Sequence, residues 1–112
     1  MTLDLSFLKK LMGGDEKLVN SFVTIFRNQT PKQLAEIKTL LANEAWEDLS
    51  NTVHSLKTQF GYMGLDDFSD QMKHIETLID NGELTDIHRL LADFETRFTA
   101  FWSKEFSDPK AS

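Results

Sequence analysis

The stretch TVHSLKTQFGYMG, residues 52–64, places an imidazole and an ammonium three residues apart. Val53, Leu56, Phe60 and Met63 recur along it at steps of three and four, the stripe of an amphipathic helix. At about 100° per residue, His54 falls roughly 120° from the centre of that stripe, away from the core. Ser50, Thr58 and Gly61 share its ridge at offsets of −4, +4 and +7. The ring therefore stands among small side chains, open to another molecule. Lys57 lies one turn on, between ridge and stripe, where its ammonium can swing towards a group attached to His54. An imidazole in this setting is suited to nucleophilic chemistry.

A carboxylate on one ring nitrogen would fix the tautomer and leave the other nitrogen free to attack. The next helix runs back from the turn at Met63 and Gly64. Counted from that turn at about 1.5 Å per residue, His54 lies roughly 14 Å away and Glu76 roughly 19 Å, a mismatch that a long side chain spans. Glu76 also sits at the flank of its own stripe, roughly 65° from centre, leaning towards its neighbour. Lys73, at i−3, is the alternative partner for Glu76.

The elements that must hold these groups are all helical in period. A short helix over residues 5–12 is stopped by Gly13 and Gly14. Asp15 caps a second over 15–28, with Leu18, Val19, Phe22, Ile25 and Phe26 on its apolar side. Thr30-Pro31-Lys32-Gln33 has the composition of a fresh helix start, so a third is expected over 30–42. The fourth covers about 43–62, the fifth 65–79 and the sixth 83–106, with Asn81-Gly82 between the last two. Short connections make neighbours antiparallel. The expected fold is all-α: an up-and-down four-helix bundle with the first two helices packed on it as an extension.

Composition narrows the class. The length of 112 residues suits one domain, 1–112, with a core over about 3–106 and a frayed tail at 107–112. Without cysteine, disulfides and Cys-ligated metals are excluded. Net charge is −6 and the 12 basic residues are scattered, which argues against nucleic acid as a partner. No apolar run nears the roughly 20 residues that cross a bilayer, and the residues from Met1 onward lack the basic-then-apolar layout of a signal peptide. A soluble, cytoplasmic protein without a membrane partner is expected; the lack of a linker favours a free-standing protein over a domain excised from a hybrid kinase, and both stay open.

The stretch HSLKTQFGYMG resembles the core motif of histidine-containing phosphotransfer (HPt) domains. That motif is His, any residue, Leu, Lys, a small-residue stretch, and Gly ten positions after the His; here they are His54, Leu56, Lys57 and Gly64. The family tends to place Gln or Glu on the next helix twenty-two positions after the His, where this chain has Glu76. Upstream, LMGGDEKLVNSFVTIFRNQTPKQLAEI resembles the family's lead-in, and the likeness spans about residues 3–101. One departure is Thr58 where the family commonly has Gly, which bears on how closely a partner approaches.

The resemblance implies a phosphocarrier. His54 would take a phosphoryl group from a receiver-domain aspartate and pass it to another receiver. Lys57 would offset phosphoryl charge, Glu76 would orient the ring, and Ser50, Thr58 and Gly61 would admit the partner. Leu56 and Gly64 would serve the fold. The implied partners are response-regulator receiver domains and a hybrid sensor histidine kinase, with Mg²⁺ supplied by the receiver, no cofactor on this chain, and a monomer as the working unit. No Walker-type glycine loop occurs, so neither ATP-dependent self-phosphorylation nor enzyme activity is expected. Two rivals belong to other classes. A metal–carboxylate bundle would want Glu-x-x-His pairs, and His54, His74 and His88 each lack that Glu. A helical adaptor that binds receivers without carrying phosphate is the alternative that Thr58 favours.

Overall fold

The computed structural model describes residues 4–106. Over them the chain forms α1 (Ser6–Leu11), α2 (Glu16–Ala42), α3 (Trp46–Tyr62), α4 (Asp66–Asp80) and α5 (Ile87–Glu105). Among the described residues there is no strand, and the chain is all-α. The tail expected over 107–112 lies outside the described residues, as does residue 3 at the start of the likeness. Asp15 caps α2 as its position implies, accepting hydrogen bonds from the backbone N–H of Lys17 at 2.9 Å and of Leu18 at 3.3 Å.

The helices expected over 15–28 and 30–42 are one helix, and Pro31 lies inside it. Pro31 has no N–H for the carbonyl one turn back, a defect that costs a helix interior about 3 kcal/mol. The buried line nevertheless passes through it in phase: Val19, Phe26, Thr30 and Ile37 follow at steps of seven, four and seven. Breaking the helix would expose part of that line, at about 25 cal/mol per Å². Continuity wins. The same line corrects two core assignments. Leu18 and Ile25 each precede a buried residue by one position, are rotated about 100° from it, and remain 50% and 52% exposed. Before the last four helices there is thus a single short element, α1, instead of two.

Two further starts move inward because the chain is still closing the preceding helix. After α2, Glu44 N–H donates to the Leu41 carbonyl at 3.1 Å and Ala45 N–H to that of Leu40 at 2.9 Å. After α4, Gly82 and Glu83 make the same pair of bonds to Ile79 and Leu78. Residues 43–45 and 83–86 are therefore connections, and α3 and α5 start at Trp46 and Ile87.

The helices enclose an aromatic core. Phe60 lies at its centre, with ring centroids of Phe26, Phe68, Phe94 and Phe98 at 5.2–6.1 Å. Leu56, from the same helix, is fully buried beside it. Contacts run in reverse order along α3 and α4: Ser50 with Asp80, His54 with Glu76, Gly61 beside Ser69. They do so along α2 and α3 as well, through Phe22 with Tyr62, Phe26 with Phe60 and Glu36 with Thr52. The α3–α4 pair is the most extensively packed of all.

Gly64 turns the chain between those two helices for two reasons at once. Its φ of +74° suits glycine, and a Cβ there would lie 2.6 Å from the Asp4 carbonyl oxygen. That approach brings the start of α1 onto the α3–α4 turn. Hydrogen bonds from the Ser6 hydroxyl and the Ser6 backbone N–H hold the Asp4 carboxyl below the usual carboxylate range, and Leu8 anchors α1 in the core.

Candidate functional site

Because α3 and α4 are antiparallel and closely packed, a residue pair whose numbers add to about 130 stands side by side. His54 and Glu76 are such a pair, and the ring Nδ1 lies 2.7 Å from Glu76 Oε2. The second carboxylate oxygen, Oε1, accepts a hydrogen bond from Lys57 Nζ at 3.1 Å. One carboxylate thus joins both site groups of α3. Both its oxygens are engaged by that helix, which answers the alternative that Glu76 serves Lys73.

Exposure sorts the roles. The His54 side chain is 55% exposed, Lys57 25% and Glu76 17%. The nucleophile candidate faces solvent while its support is half-buried behind it. An ionised carboxylate only accepts, and it also carries the Lys57 ammonium. The hydrogen-bond network therefore assigns the ring proton to Nδ1 and leaves a lone pair on Nε2.

The remaining ridge residues separate. Gly61 is helical, and a Cβ built on it would meet only Ser69 Oγ, at 3.8 Å. Thr58 is exposed, and its hydroxyl donates to the backbone carbonyl of His54 at 3.3 Å. Ser50 is 8% exposed and donates to Asp80 Oδ1 at 2.6 Å. It does not stand on the open ridge that the wheel suggests, because α4 covers it. It lines a recess of about 590 Å³ beside His54, together with Trp46, Asn51 and the acidic Glu47, Glu76 and Asp80. On the other side of Lys57, a groove of about 410 Å³ is bounded by Phe7, Thr58, Gly61, Tyr62 and Lys73. Phe7 and Tyr62 are 51% and 39% exposed, which gives that side an apolar rim.

Three participants escaped the sequence reading: Asp80, Ser69, and the second oxygen of Glu76. Ser69 Oγ donates to the Lys57 backbone carbonyl at 2.9 Å. The signal for Asp80 was present, since stepping one turn in opposite directions from His54 and Glu76 reaches Ser50 and Asp80. Among the described residues, no group of three or more His, Asp or Glu side chains is arranged to hold a metal ion, and no helix is long and apolar enough to cross a membrane.

Fold and site define a class, all-α proteins that offer solvent one carboxylate-backed imidazole. The chain belongs to the Hpt domain family, whose model matches residues 21–104, a span that holds His54, Lys57 and Glu76. Comparisons with curated proteins and with solved structures each return no match. Membership implies phosphotransfer in phosphorelays, in which Hpt domains act as phosphocarriers and typically interact with receiver domains and kinases.

Proposed function

We propose that His54 is the phosphorylated residue of a two-component phosphorelay. The observation that carries this reading is the 2.7 Å contact of Nδ1 with Glu76 on a ring that is otherwise 55% exposed. The Nε2 lone pair attacks the phosphorus of a receiver's aspartyl phosphate in line. The N–P bond forms as the aspartyl O–P bond breaks, and the departing carboxylate keeps the electron pair. No proton moves. The ring becomes cationic and its Nδ1–H stays on Glu76, whose negative charge favours that state. Transfer to a second receiver is the reverse step. Lys57 offsets charge on the phosphoryl oxygens. Such transfer is mostly positioning and charge neutralisation, which suits so small a set of groups.

In this proposal the receiver brings the Mg²⁺ and the aspartate, this chain brings no cofactor, and a hybrid sensor kinase heads the relay. The docking face is the ridge of Thr58 and Gly61 with the recess beside Ser50 and the apolar rim of Phe7 and Tyr62. The working unit is one cytoplasmic, monomeric domain over residues 1–112, in which α2 to α5 form an up-and-down antiparallel bundle extended by α1. The reversed order of contacts along α2, α3 and α4 supports that arrangement. The protein acts as a carrier, without ATP-binding or kinase machinery.

The test loads the protein from phosphoramidate, a small donor that needs no docking and releases ammonia. The wild type should gain an acid-labile, base-stable label at His54, and His54→Gln should gain none. A phosphorylated receiver should load the same position. A label that persists in His54→Gln overturns the site. A protein that binds receivers yet accepts phosphate from neither donor would be the adaptor instead.

A further inference from the structure

The contact between His54 and Glu76 joins two helices, so it depends on how α3 and α4 are set along each other. Val53, Leu56 and Phe60 pack in the same core as Met72, Ile75 and Ile79. Apolar burial is non-directional and tolerates small slides. A hydrogen bond asks for both distance and alignment, and weakens steeply as the angle at the proton falls. The interdigitated core sets the register, and directional bonds between the helices can narrow it further.

Two serine hydroxyls make such bonds. Ser50 ties α3 to Asp80 on α4 at 2.6 Å, four residues before His54 and four after Glu76. Ser69 ties α4 to the carbonyl of Lys57 at 2.9 Å. Lys57 is therefore fastened to α4 twice, by its backbone through Ser69 and by its ammonium through Glu76. His54 and Glu76 lie between the two ties. Gly61 stands beside this tie, where a Cβ would meet Ser69 Oγ only at van der Waals distance, 3.8 Å, so the tie does not depend on the glycine.

We propose that Ser69, paired with the Ser50–Asp80 tie at the other end, is a positioning residue that holds Glu76 in register with His54 and Lys57. It touches neither the ring nor a transferred group. Its effect passes through the α3 backbone to the tautomer of His54. The proposal rests on His54 being the nucleophile, and its main readout is taken on unphosphorylated protein, so the two can fail separately.

The experiment compares wild type, Ser69→Ala, Ser69→Thr and Glu76→Ala by nitrogen-15 NMR of the His54 ring. Wild type should show the Nδ1–H tautomer alone, and Glu76→Ala supplies the pattern of a released ring. Ser69→Ala should move measurably towards that pattern, and Ser69→Thr, which keeps the hydroxyl, should return to the wild type. Transfer from phosphorylated His54 to an accepting receiver should fall about threefold in Ser69→Ala, the scale of a small misplacement. The alanine variant should fold, because alanine is the better helix former. An unmoved tautomer in Ser69→Ala overturns the proposal. So does a released ring in both Ser69 variants, since the hydroxyl would then not be the cause. Failure of wild type to take a label from either phosphoramidate or a phosphorylated receiver would instead sink the phosphocarrier reading and leave the tautomer result standing.

Discussion

Lys57 Nζ lies 3.1 Å from the Glu76 oxygen that His54 does not use. Here its charge positions the carboxylate; under the proposed role, phosphate on His54 would offer the same ammonium three further oxygens. A partly exposed ion pair contributes at most about 1 kcal/mol to stability. A charge-assisted hydrogen bond to a transferring group is worth about 1.5–3 kcal/mol. Lys57→Ala should therefore change unfolding free energy by no more than about 1 kcal/mol while slowing transfer about tenfold, which corresponds to about 1.4 kcal/mol. Stopped-flow transfer from a phosphorylated receiver, beside a denaturant melt, separates the two effects. Equal loss in both measurements would reduce Lys57 to a structural residue.

The helix ends carry their own conformational strain. Glu44 closes α2 with φ at 53°, a conformation in which a side chain costs roughly 1–2 kcal/mol. Glycine would remove that cost and give part of it back as unfolded-state entropy. Glu44→Gly should stabilise the protein by about 0.5–1 kcal/mol, a rise of a few degrees in Tm. Transfer should be unchanged, since Glu44 does not line the recess beside His54. A thermal melt that falls would mean the Glu44 side chain has a stabilising contact larger than the strain. Pro31 shows the opposite economy. An element-breaking residue persists inside α2 because the stripe on either side is worth more as one helix than as two.

The proposed docking face belongs to the whole molecule, because α1, α3 and α4 all contribute to the surface around His54. Gly61 is the sharpest probe of it. Inside a helix glycine costs about 0.5–1 kcal/mol relative to alanine, and the fold has room for the methyl group. Gly61→Ala should accordingly stabilise the isolated protein by about 0.5–1 kcal/mol. If a receiver presses against this ridge, the same methyl should slow transfer at limiting receiver and leave the saturated rate nearly intact. Rates that match the wild type at every receiver concentration would place Gly61 outside the interface.

Local chemistry in the sequence was enough for the helical class, the Asp15 cap, the Gly64 turn and the placing of His54 on a solvent face, since each depends on neighbours within one or two turns. The spacing of His54 and Glu76 across a single turn put them within reach of each other but left Lys73 as a rival partner, and only the packed helices decided between the two. It could not predict that Glu76 serves Lys57 as well, because which carboxylate oxygen faces which partner depends on side-chain rotamers. Pro31 misled for a related reason: its local preference to start a helix is real, and only the core that receives Val19, Phe26, Thr30 and Ile37 decides against it. Ser50 and Ser69 carry no signature of their own. Their hydroxyls acquire a role only when α4 lies against α3, because a hydrogen bond between helices is a property of the register and of no single residue.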